Sequence, residues 1–255
     1  MTLGKKLDEQ LDKIEKILKQ INLCVEELVP NNKINVLSDH RIKELSKGMK
    51  IMNEKITYLL EEVKGNYLAT LEALTRIMEK NNSDTYGHCR RVSDIAIAIA
   101  KDLNFSEADY NNLELAGLLH DMGKIGIPME ILNKKGKLTD EEYEIVKKHP
   151  KIAFDILKGI DFLKKSREII YQHHERIDGK GYPCQLTDDQ ISLGAKILAV
   201  ADAYDAMTSV RPYRERPLTK QEAIKELTRA QGSQFDTTVV KVFINRLASD
   251  EGLLS

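Results

Sequence analysis

The chain has 255 residues, of which 42% are hydrophobic and 31% are charged, and its net charge is −1. This length suits one large domain, or one domain with a smaller appendage. The balanced charge excludes a general affinity for nucleic-acid polymers or membrane surfaces, so any phosphate must be bound by a local site. No apolar run approaches the ~18 residues that cross a bilayer, and the widely spaced cysteines lack a CxxC pattern. We therefore expect a cytoplasmic protein with reduced thiols and no membrane insertion.

The first part of the chain repeats apolar residues at alternating spacings of four and three, which is the heptad pattern of a coiled coil. A break at Pro30-Asn31-Asn32 separates two such sets. Their members are Leu7, Leu11, Ile14, Leu18, Ile21, Val25 and Leu28, then Ile42, Leu45, Met49, Met52, Ile56, Leu59 and Val63. We predict an N-terminal coiled-coil-like helical region over residues 1–66. Its stripes fit a helical hairpin, a contact with the following domain, or a homodimer through the N-terminal helices, and heptad length does not decide among them.

From about residue 67 onward the pattern indicates one helix after another. Capping-box pairs open three of these helices: Ser106 with Asp109, Thr139 with Glu142, and Thr219 with Glu222. Period-two alternation is absent from the sequence. One long irregular segment, at about residues 175–191, contains Gly and Pro and has the length that functional loops have. We therefore predict an all-α fold, with a helical-bundle domain over residues 67–250.

Five of the six histidines form a pattern that is typical of metal coordination. His120 is followed directly by Asp121, and His173 directly by His174. Adjacent residues on a helix point about 100° apart, so each pair can serve two neighbouring ions rather than one. The other members of the set are His88, His149 and Asp202. Imidazoles mixed with carboxylates favour Fe, Mn, Zn or Ni over Mg or Ca.

Each of these residues also has an ordinary structural explanation. A lone histidine such as His149 is more often a capping or surface residue, and we assign His40 to the surface. Asp202 lies among small and apolar residues, where a carboxylate needs a cation or hydrogen-bond partners. Arg91 is expected to play a structural part by pairing with a carboxylate such as Asp205. Several unusual polar residues together make a metal cluster the more economical interpretation.

Three segments resemble the HD-GYP family of all-helical HD-superfamily phosphohydrolases: GLLHDMGKIGIP at 117–128, HHERIDGKGYP at 173–183 and ILAVADAYDAMTSVRPYR at 197–214. The resemblance spans about residues 70–247. HD alone is a weak signal, but HDxGK, HHExxDGxGYP and the ordered single histidines together are highly specific. Members of this bacterial signalling family open cyclic di-GMP and, in some cases, cyclic GMP-AMP.

Carried over position by position, the resemblance implies a set of metal ligands in which Asp121 is the carboxylate that bridges two ions. The implied ligands are His88, His120, Asp121, His149, His173, His174 and Asp202. Asp84 lies four residues before His88 and matches an acidic residue that binds a third ion in some members. Its alternative role is helix capping, together with Ser83. The resemblance therefore implies two or three divalent ions, with Fe or Mn as the first choices.

The resemblance also implies residues that contact the substrate. Lys124 of HDxGK would contact the phosphate, and it lies on the same helical face as His120 if the helix persists. Tyr213 and Arg214 match a segment that holds the nucleotide, where Arg offers a bidentate fork. The GYP loop at 181–183 carries no nucleophile, so we interpret it as shaping the site or as a docking surface for a protein partner.

The function implied by the resemblance is a metal-dependent phosphodiesterase for cyclic di-GMP. It would produce linear pGpG, and then GMP if the site admits the linear product, by in-line attack of a metal-bridging hydroxide with Asp121 and Lys124 as catalytic residues. Two alternatives remain open. One is a phosphodiesterase for cyclic GMP-AMP or another phosphoester, and the other is a non-hydrolysing receptor or interaction module for a cyclic dinucleotide.

Overall fold

The computed structural model describes residues 36–81, 87–210 and 216–249, together with Lys16 and Lys19, which are helical. Its α-helices in chain order are α1 Val36–Asn81, α2 His88–Ala100, α3 Glu107–Leu119, α4 Met129–Leu132, α5 Asp140–Val146, α6 His149–Ile156, α7 Lys164–Gln172, α8 Leu193–Thr208, α9 Lys220–Ala230 and α10 Thr237–Ser249. Short 3₁₀ helices lie at Met122–Gly126, Asp161–Leu163 and Asp188–Gln190. Within the described part of the chain the only extended pairings are the isolated bridges Asp178–Thr187 and Gln231–Phe235. The prediction of an all-α fold is confirmed.

Helix α1 contains the second of the two predicted heptad segments and passes through Gly65 without a break. Helix over that segment is therefore confirmed. The first heptad segment lies outside the described residues, apart from Lys16 and Lys19, and pairing of the two segments as a coiled coil stays a prediction. Although α1 is 46 residues long, neither it nor any other helix in the described ranges is apolar enough to cross a membrane.

The chain divides into two compact units. One comprises the residues up to Thr70 together with Gly159–Asp161, and the other comprises Leu71–Lys158 and Phe162–Ser255. The domain boundary predicted at residues 66–67 falls inside the uninterrupted helix α1, so the domain limits stay a prediction.

The core of the second unit is built around α8, which is apolar on nearly every side, and α2, which buries one face. Helix α2 buries Val92 and Ile99, while its Arg90 and Asp94 are exposed. A helix that is hydrophobic all round must be enclosed by others, and α8 packs against α2, α3, α7, α9 and α10. The core therefore centres on the two helices that carry His88 and Asp202.

The predicted helix caps are present. Ser106 Oγ accepts a hydrogen bond from the Asp109 N–H at 3.2 Å, and the hydroxyl donates to the Asp109 carboxylate at 2.6 Å. Complete capping boxes begin α5 and α9, where Thr139 pairs with Glu142 and Thr219 with Glu222. Local hydrogen bonding thus sets where these helices begin.

Replacing Thr219 with alanine removes the acceptor of the Glu222 N–H, which lies 3.2 Å from the Thr219 hydroxyl. We expect the free energy of unfolding to fall by about 1 kcal/mol, as measured by urea denaturation followed by circular dichroism. Thr219→Ser keeps the oxygen and is the matched control, so it should remain near the wild type. Equal stability of Thr219→Ala and the wild type would contradict the capping role.

Candidate metal centre

The candidate ligands converge because most of them lie at helix ends. His88 and His149 are the first residues of α2 and α6, and His120 and His173 cap the carboxyl ends of α3 and α7. Asp202 lies within α8. Helix ends meet in the interior of the second unit, where all four of these histidines are buried.

Asp121 lies between two groups of candidate ligands. Its Oδ2 is 3.6 Å from His120 Nε2 and 3.7 Å from His88 Nε2. Its Oδ1 is 3.7 Å from His149 Nε2. Ligand atoms lie within 4.8 Å of one another in each of two groups, which are His88, His120 and Asp202, then His149, His173 and His174. A carboxylate whose oxygens face different ligand groups is arranged to bridge two cations.

Backbone carbonyls orient three of the histidines. Nδ1 of His120, His149 and His173 donates to the carbonyl oxygen three residues earlier, at 2.8, 2.8 and 2.6 Å. These carbonyls belong to the last turns of α3, α5 and α7, where carbonyl groups lack helical partners. Because a carbonyl can only accept, Nδ1 carries the proton and Nε2 presents a lone pair to the centre.

These lone pairs need a hydrogen-bond donor or a cation. Nε2 of His120 is buried and has no hydrogen-bond partner among the described residues. Nε2 of His149 and Nε2 of His173 face each other at 3.5 Å, which is unfavourable for two acceptors unless a cation lies beside them. Imidazole nitrogens with fixed outer N–H groups, next to carboxylate oxygens, are a donor set that fits divalent metal ions.

The protonation states also suit metal ligands. Burial lowers the pKa of His149 to about 3 and the pKa of His174 to about 4, so both imidazoles are neutral at neutral pH. Burial alone would raise the pKa of Asp121, but Lys124 and the nearby histidines hold it well below its usual range. Metal binding requires deprotonated ligands, and these side chains supply them.

His88 differs from the other histidines in its support and in its pKa. Its Nδ1 donates to the buried Asp205 at 2.6 Å, and its Nε2 lies 3.2 Å from an Asp202 oxygen. Burial opposes the charged form, yet hydrogen bonds to Asp202 and Asp205 raise the pKa of His88 to about 9. A proton and a metal cation compete for the same Nε2 lone pair, so a cation held by Asp202 would replace that proton.

The predicted pairing of Arg91 with Asp205 is confirmed. Arg91 Nε and Nη2 donate to the two Asp205 oxygens at 2.6 and 3.1 Å, and Nη2 also donates to Ser209 Oγ at 3.2 Å. Sequence reasoning missed the second role of Asp205, which holds His88 from behind as carboxylates commonly hold metal-binding histidines. Asp205 lies three residues after Asp202, on the same face of α8. This spacing is the sequence signal that could have indicated a role for Asp205 near the candidate ligands.

Glu79 is another buried carboxylate that sequence reasoning missed. It lies in the last turn of α1, and its oxygens accept from the N–H groups of Gly87 at 3.0 Å and Cys89 at 2.8 Å. These groups begin α2, where amides lack helical partners and carry partial positive charge. Glu79 thereby fixes the turn that carries His88. No local pattern marks it, because a capping residue usually adjoins the helix that it caps.

Lys124 lies in the 3₁₀ helix that follows the HD pair, with its ammonium 2.7 Å from Asp121 Oδ2. The helix does not persist to Lys124, because α3 ends at Leu119. Gly123 accounts for the change of geometry. A Cβ built on Gly123 would lie 1.9 Å from the His149 carbonyl oxygen, so the backbone there packs directly against the start of α6.

The predicted irregular segment after α7 is present, with one 3₁₀ turn within it. The buried side chain of Glu175 stabilises this segment, because its carboxylate accepts hydrogen bonds from the backbone N–H groups of Cys184 at 2.6 Å and Leu186 at 2.9 Å. Tyr182 of the GYP loop places its ring centroid 4.8 Å from that of His174. This contact supports the interpretation of the loop as shaping the site.

A cleft of about 460 Å³ opens beside the candidate ligands. His173, His174 and Asp202 lie in its wall, and Tyr143 and Lys180 contribute to the rest of its lining. Its volume is in the range of small-molecule binding sites.

Several residues assigned from the sequence lie outside the described residues. They are Asp84, Tyr213 and Arg214, and the side chain of His40. The third-ion role of Asp84 and the nucleotide contacts of Tyr213 and Arg214 stay predictions.

Asp205→Asn preserves the shape of the side chain and removes the negative charge behind His88. We expect the affinity for Mn(II) to fall roughly 10- to 100-fold, as measured by competition with a chelator, because the support of the imidazole is weakened. Asp155→Asn removes an exposed carboxylate that pairs with Lys151 and serves as the matched control. An Asp205→Asn protein that folds normally and binds Mn(II) like the wild type would disprove this role.

A sequence profile of the HD-domain family matches residues 72–239. The chain is 37% identical over 202 residues to the cyclic di-GMP phosphodiesterase response regulator RpfG of Xanthomonas campestris pv. campestris, which covers 78% of this chain and 53% of that protein. It is 34% identical over 229 residues to a cyclic di-GMP phosphodiesterase of Thermotoga maritima, which covers 89% of this chain and 62% of that protein. The chain therefore spans a little more than half the length of these curated relatives.

The fold matches the crystal structure of a cyclic GMP-AMP specific phosphodiesterase of V. cholerae, V-cGAP3, with a TM-score of 0.57 and 19% identity. The match covers 74% of this chain and 51% of that one, and at this identity it bears on the fold alone. Profile, relatives and fold agree with the motifs read from the sequence. The chain belongs to the HD-domain family, in the HD-GYP group.

Proposed function

We propose that this chain carries the catalytic domain of a metal-dependent phosphodiesterase that hydrolyses cyclic di-GMP to linear pGpG. The observation that carries the proposal is Asp121, whose two carboxylate oxygens face two separate groups of histidine ligands. The names of the relatives support cyclic di-GMP as the substrate. Further cleavage to GMP would require that the linear product re-enters the same cleft.

The two ligand groups would hold two divalent ions, with Asp121 between them. One ion would be held by His88, His120 and Asp202, and the other by His149, His173 and His174. Mixed nitrogen and oxygen ligands support Fe or Mn as the ions. When bound, such ions lower the pKa of water towards neutrality and neutralise charge on phosphoryl oxygens. A third ion at Asp84 stays a prediction.

Lys124 would supply positive charge from the chain itself. Its ammonium lies 2.7 Å from Asp121 Oδ2, at the edge of the ligand groups, and 17% of its side chain is exposed. A phosphoryl oxygen that enters beside Asp121 would therefore come within reach of this ammonium. Negative charge grows on the phosphoryl oxygens in the transition state, and an ammonium already in place stabilises it.

Cys89 also lies close to the candidate ligands, with its thiol within 4.8 Å of the ligand atoms of His120 and Asp121. Burial and the negative charge of Asp121 raise the pKa of Cys89 well above its ordinary value. Cys89 has no step in the proposed hydrolysis, because the attacking oxygen comes from water.

Asp121→Asn retains the size of the side chain and removes the charge that both ligand groups face. We expect bound metal and hydrolysis of cyclic di-GMP to fall together, with hydrolysis reduced by more than the roughly 100-fold that loss of a supporting residue can cost. Wild-type protein, Asp121→Asn and the control Asp155→Asn would be loaded anaerobically with Fe(II) or Mn(II). Metal content and hydrolysis of cyclic di-GMP, cyclic GMP-AMP and a generic phosphodiester would then be measured.

The outcomes of this experiment separate the candidate functions. Wild-type turnover by Asp121→Asn would refute the proposed site. Binding of cyclic dinucleotide by the wild type without any product would indicate a receptor instead of an enzyme. Hydrolysis of the generic phosphodiester alone would indicate a different phosphoester as substrate.

Lys124→Gln removes the ammonium and leaves the candidate ligands in place. We expect kcat for cyclic di-GMP to fall about 100-fold while the metal content stays unchanged, because the lost charge acts mainly in the transition state. Lys151→Gln, which removes an exposed ammonium paired with Asp155, is the control. An increase in KM without a decrease in kcat would assign Lys124 to substrate binding alone.

We also propose a homodimer through the N-terminal helices, a protein partner at the GYP loop and a cytoplasmic location. Along α1, Met52, Leu59 and Val63 are exposed by 50, 47 and 43%. Their spacing of seven and four residues forms one apolar stripe on the helix. An exposed apolar stripe of this kind supports pairing with a second helix.

A further inference from the structure

An exposed aromatic side chain lies in the cleft beside the candidate ligands and has no part in the mechanism above. Tyr143 is on α5, the helix that the Thr139 capping box begins. It lines the same cleft as His173 and His174, and 48% of it is exposed. Ligand-binding clefts are lined mainly by hydrophobic and aromatic side chains, and an exposed ring in such a cleft is available to a ligand.

A short chain of ring contacts connects Tyr143 to the ligand groups. The Tyr182 ring lies at 4.8 Å and 33° to the His174 ring, and it also contacts the Tyr143 ring at 6.4 Å and 82° and the His149 ring at 6.5 Å and 76°. Tyr182 is half-buried and Phe235, also in the cleft wall, is only 6% exposed. Among the described aromatic residues of the cleft, Tyr143 therefore presents the most ring surface to an incoming ligand.

The charges around Tyr143 suit a ligand that is both aromatic and anionic. The Lys147 ammonium lies over the Tyr143 ring at 5.4 Å from its centroid and also pairs with Glu144. Lys180 lines the same cleft and lies close enough to Asp178 to help lower the pKa of that carboxyl. Tyrosine rings stack on nucleobases with little dependence on base identity, and nearby ammonium groups attract the phosphates that accompany the base.

We propose that Tyr143 is a stacking platform for one purine base of the cyclic dinucleotide whose phosphodiester lies at the candidate ligands. The inference rests on the function proposed above and adds a substrate-binding residue to it. One ligand can touch both places, because a single cleft is lined by Tyr143 and by His173, His174 and Asp202. The competing explanation is that Tyr143 only supports Tyr182 and the GYP loop.

Steady-state kinetics with cyclic di-GMP separate the two explanations. Tyr143→Leu keeps an apolar side chain and removes the ring, so we expect KM to rise roughly 10- to 100-fold while kcat and metal content change far less. Tyr143→Phe restores the ring and should recover most of the affinity. Tyr58→Leu, at a position on α1 that is 68% exposed, is the matched control. Wild-type KM in Tyr143→Leu, or a loss of kcat and metal with unchanged KM, would overturn the platform.

A fluorescence experiment tests the same contact without turnover. The chain contains no tryptophan, so Tyr143→Trp and the control Tyr58→Trp each carry a single reporter. GMP should quench the fluorescence of Tyr143→Trp saturably, ribose 5-phosphate should not, and Tyr58→Trp should respond to neither. Equal effects of GMP and ribose 5-phosphate on Tyr143→Trp would overturn the inference. Quenching by GMP in a protein that hydrolyses no cyclic dinucleotide would reject the proposed function and retain the base platform.

Discussion

The rest of this structure depends on histidine side chains held by the free carbonyl ends of helices. A buried helix end leaves carbonyl oxygens unpaired, and a buried imidazole leaves an N–H unpaired, and each costs free energy. In this protein the unpaired groups bond to each other. Carbonyl oxygens in the last turns of α3, α5 and α7 accept from the Nδ1–H groups of His120, His149 and His173. The bond fixes the tautomer and directs each Nε2 towards a common centre.

Three buried carboxylates hold other parts of the site in place, at the start of α2 and in the segment after α7. Asp205 supports His88, Glu79 fixes the first turn of α2, and Glu175 holds the segment that carries Tyr182. A buried carboxylate is tolerated only when it accepts strong hydrogen bonds, and each of these accepts from two or more donors. The candidate ligands therefore rest on fixed supports, as a preorganised ion-binding site requires.

The net charge of −1 conceals how charge is distributed around the cleft. Arg176, in the cleft wall, is bound to Asp178 at 2.7 Å and to Gln234 at 3.0 Å, so its guanidinium is largely occupied. The ammonium of Lys124, by contrast, lies beside the candidate ligands, 2.7 Å from Asp121 Oδ2. Positive charge near the candidate site is therefore local, and the net charge of the whole chain does not reveal it.

Short-range patterns determined the features that the sequence alone could predict. The caps at Ser106, Thr139 and Thr219 follow from residue type and spacing. The Arg91–Asp205 pair joins residues 114 positions apart and was expected from their opposite charges alone. The motifs also identified the histidines and aspartates that the folded chain brings together. These inferences succeeded because hydrogen bonds within a few residues, and motifs that fold as units, carry their geometry with them.

Only the tertiary structure decided how distant segments meet. The division of ligands into two groups around Asp121, the hold of Glu79 on α2 and the approach of Tyr143 to Tyr182 depend on how separate helices pack. Packing also constrains the segment after α3, because a Cβ on Gly123 would lie 1.9 Å from the His149 carbonyl oxygen. The spacing of residues along the chain does not indicate which helix ends will lie close together in the core. That arrangement is set by the packing of all the helices at once.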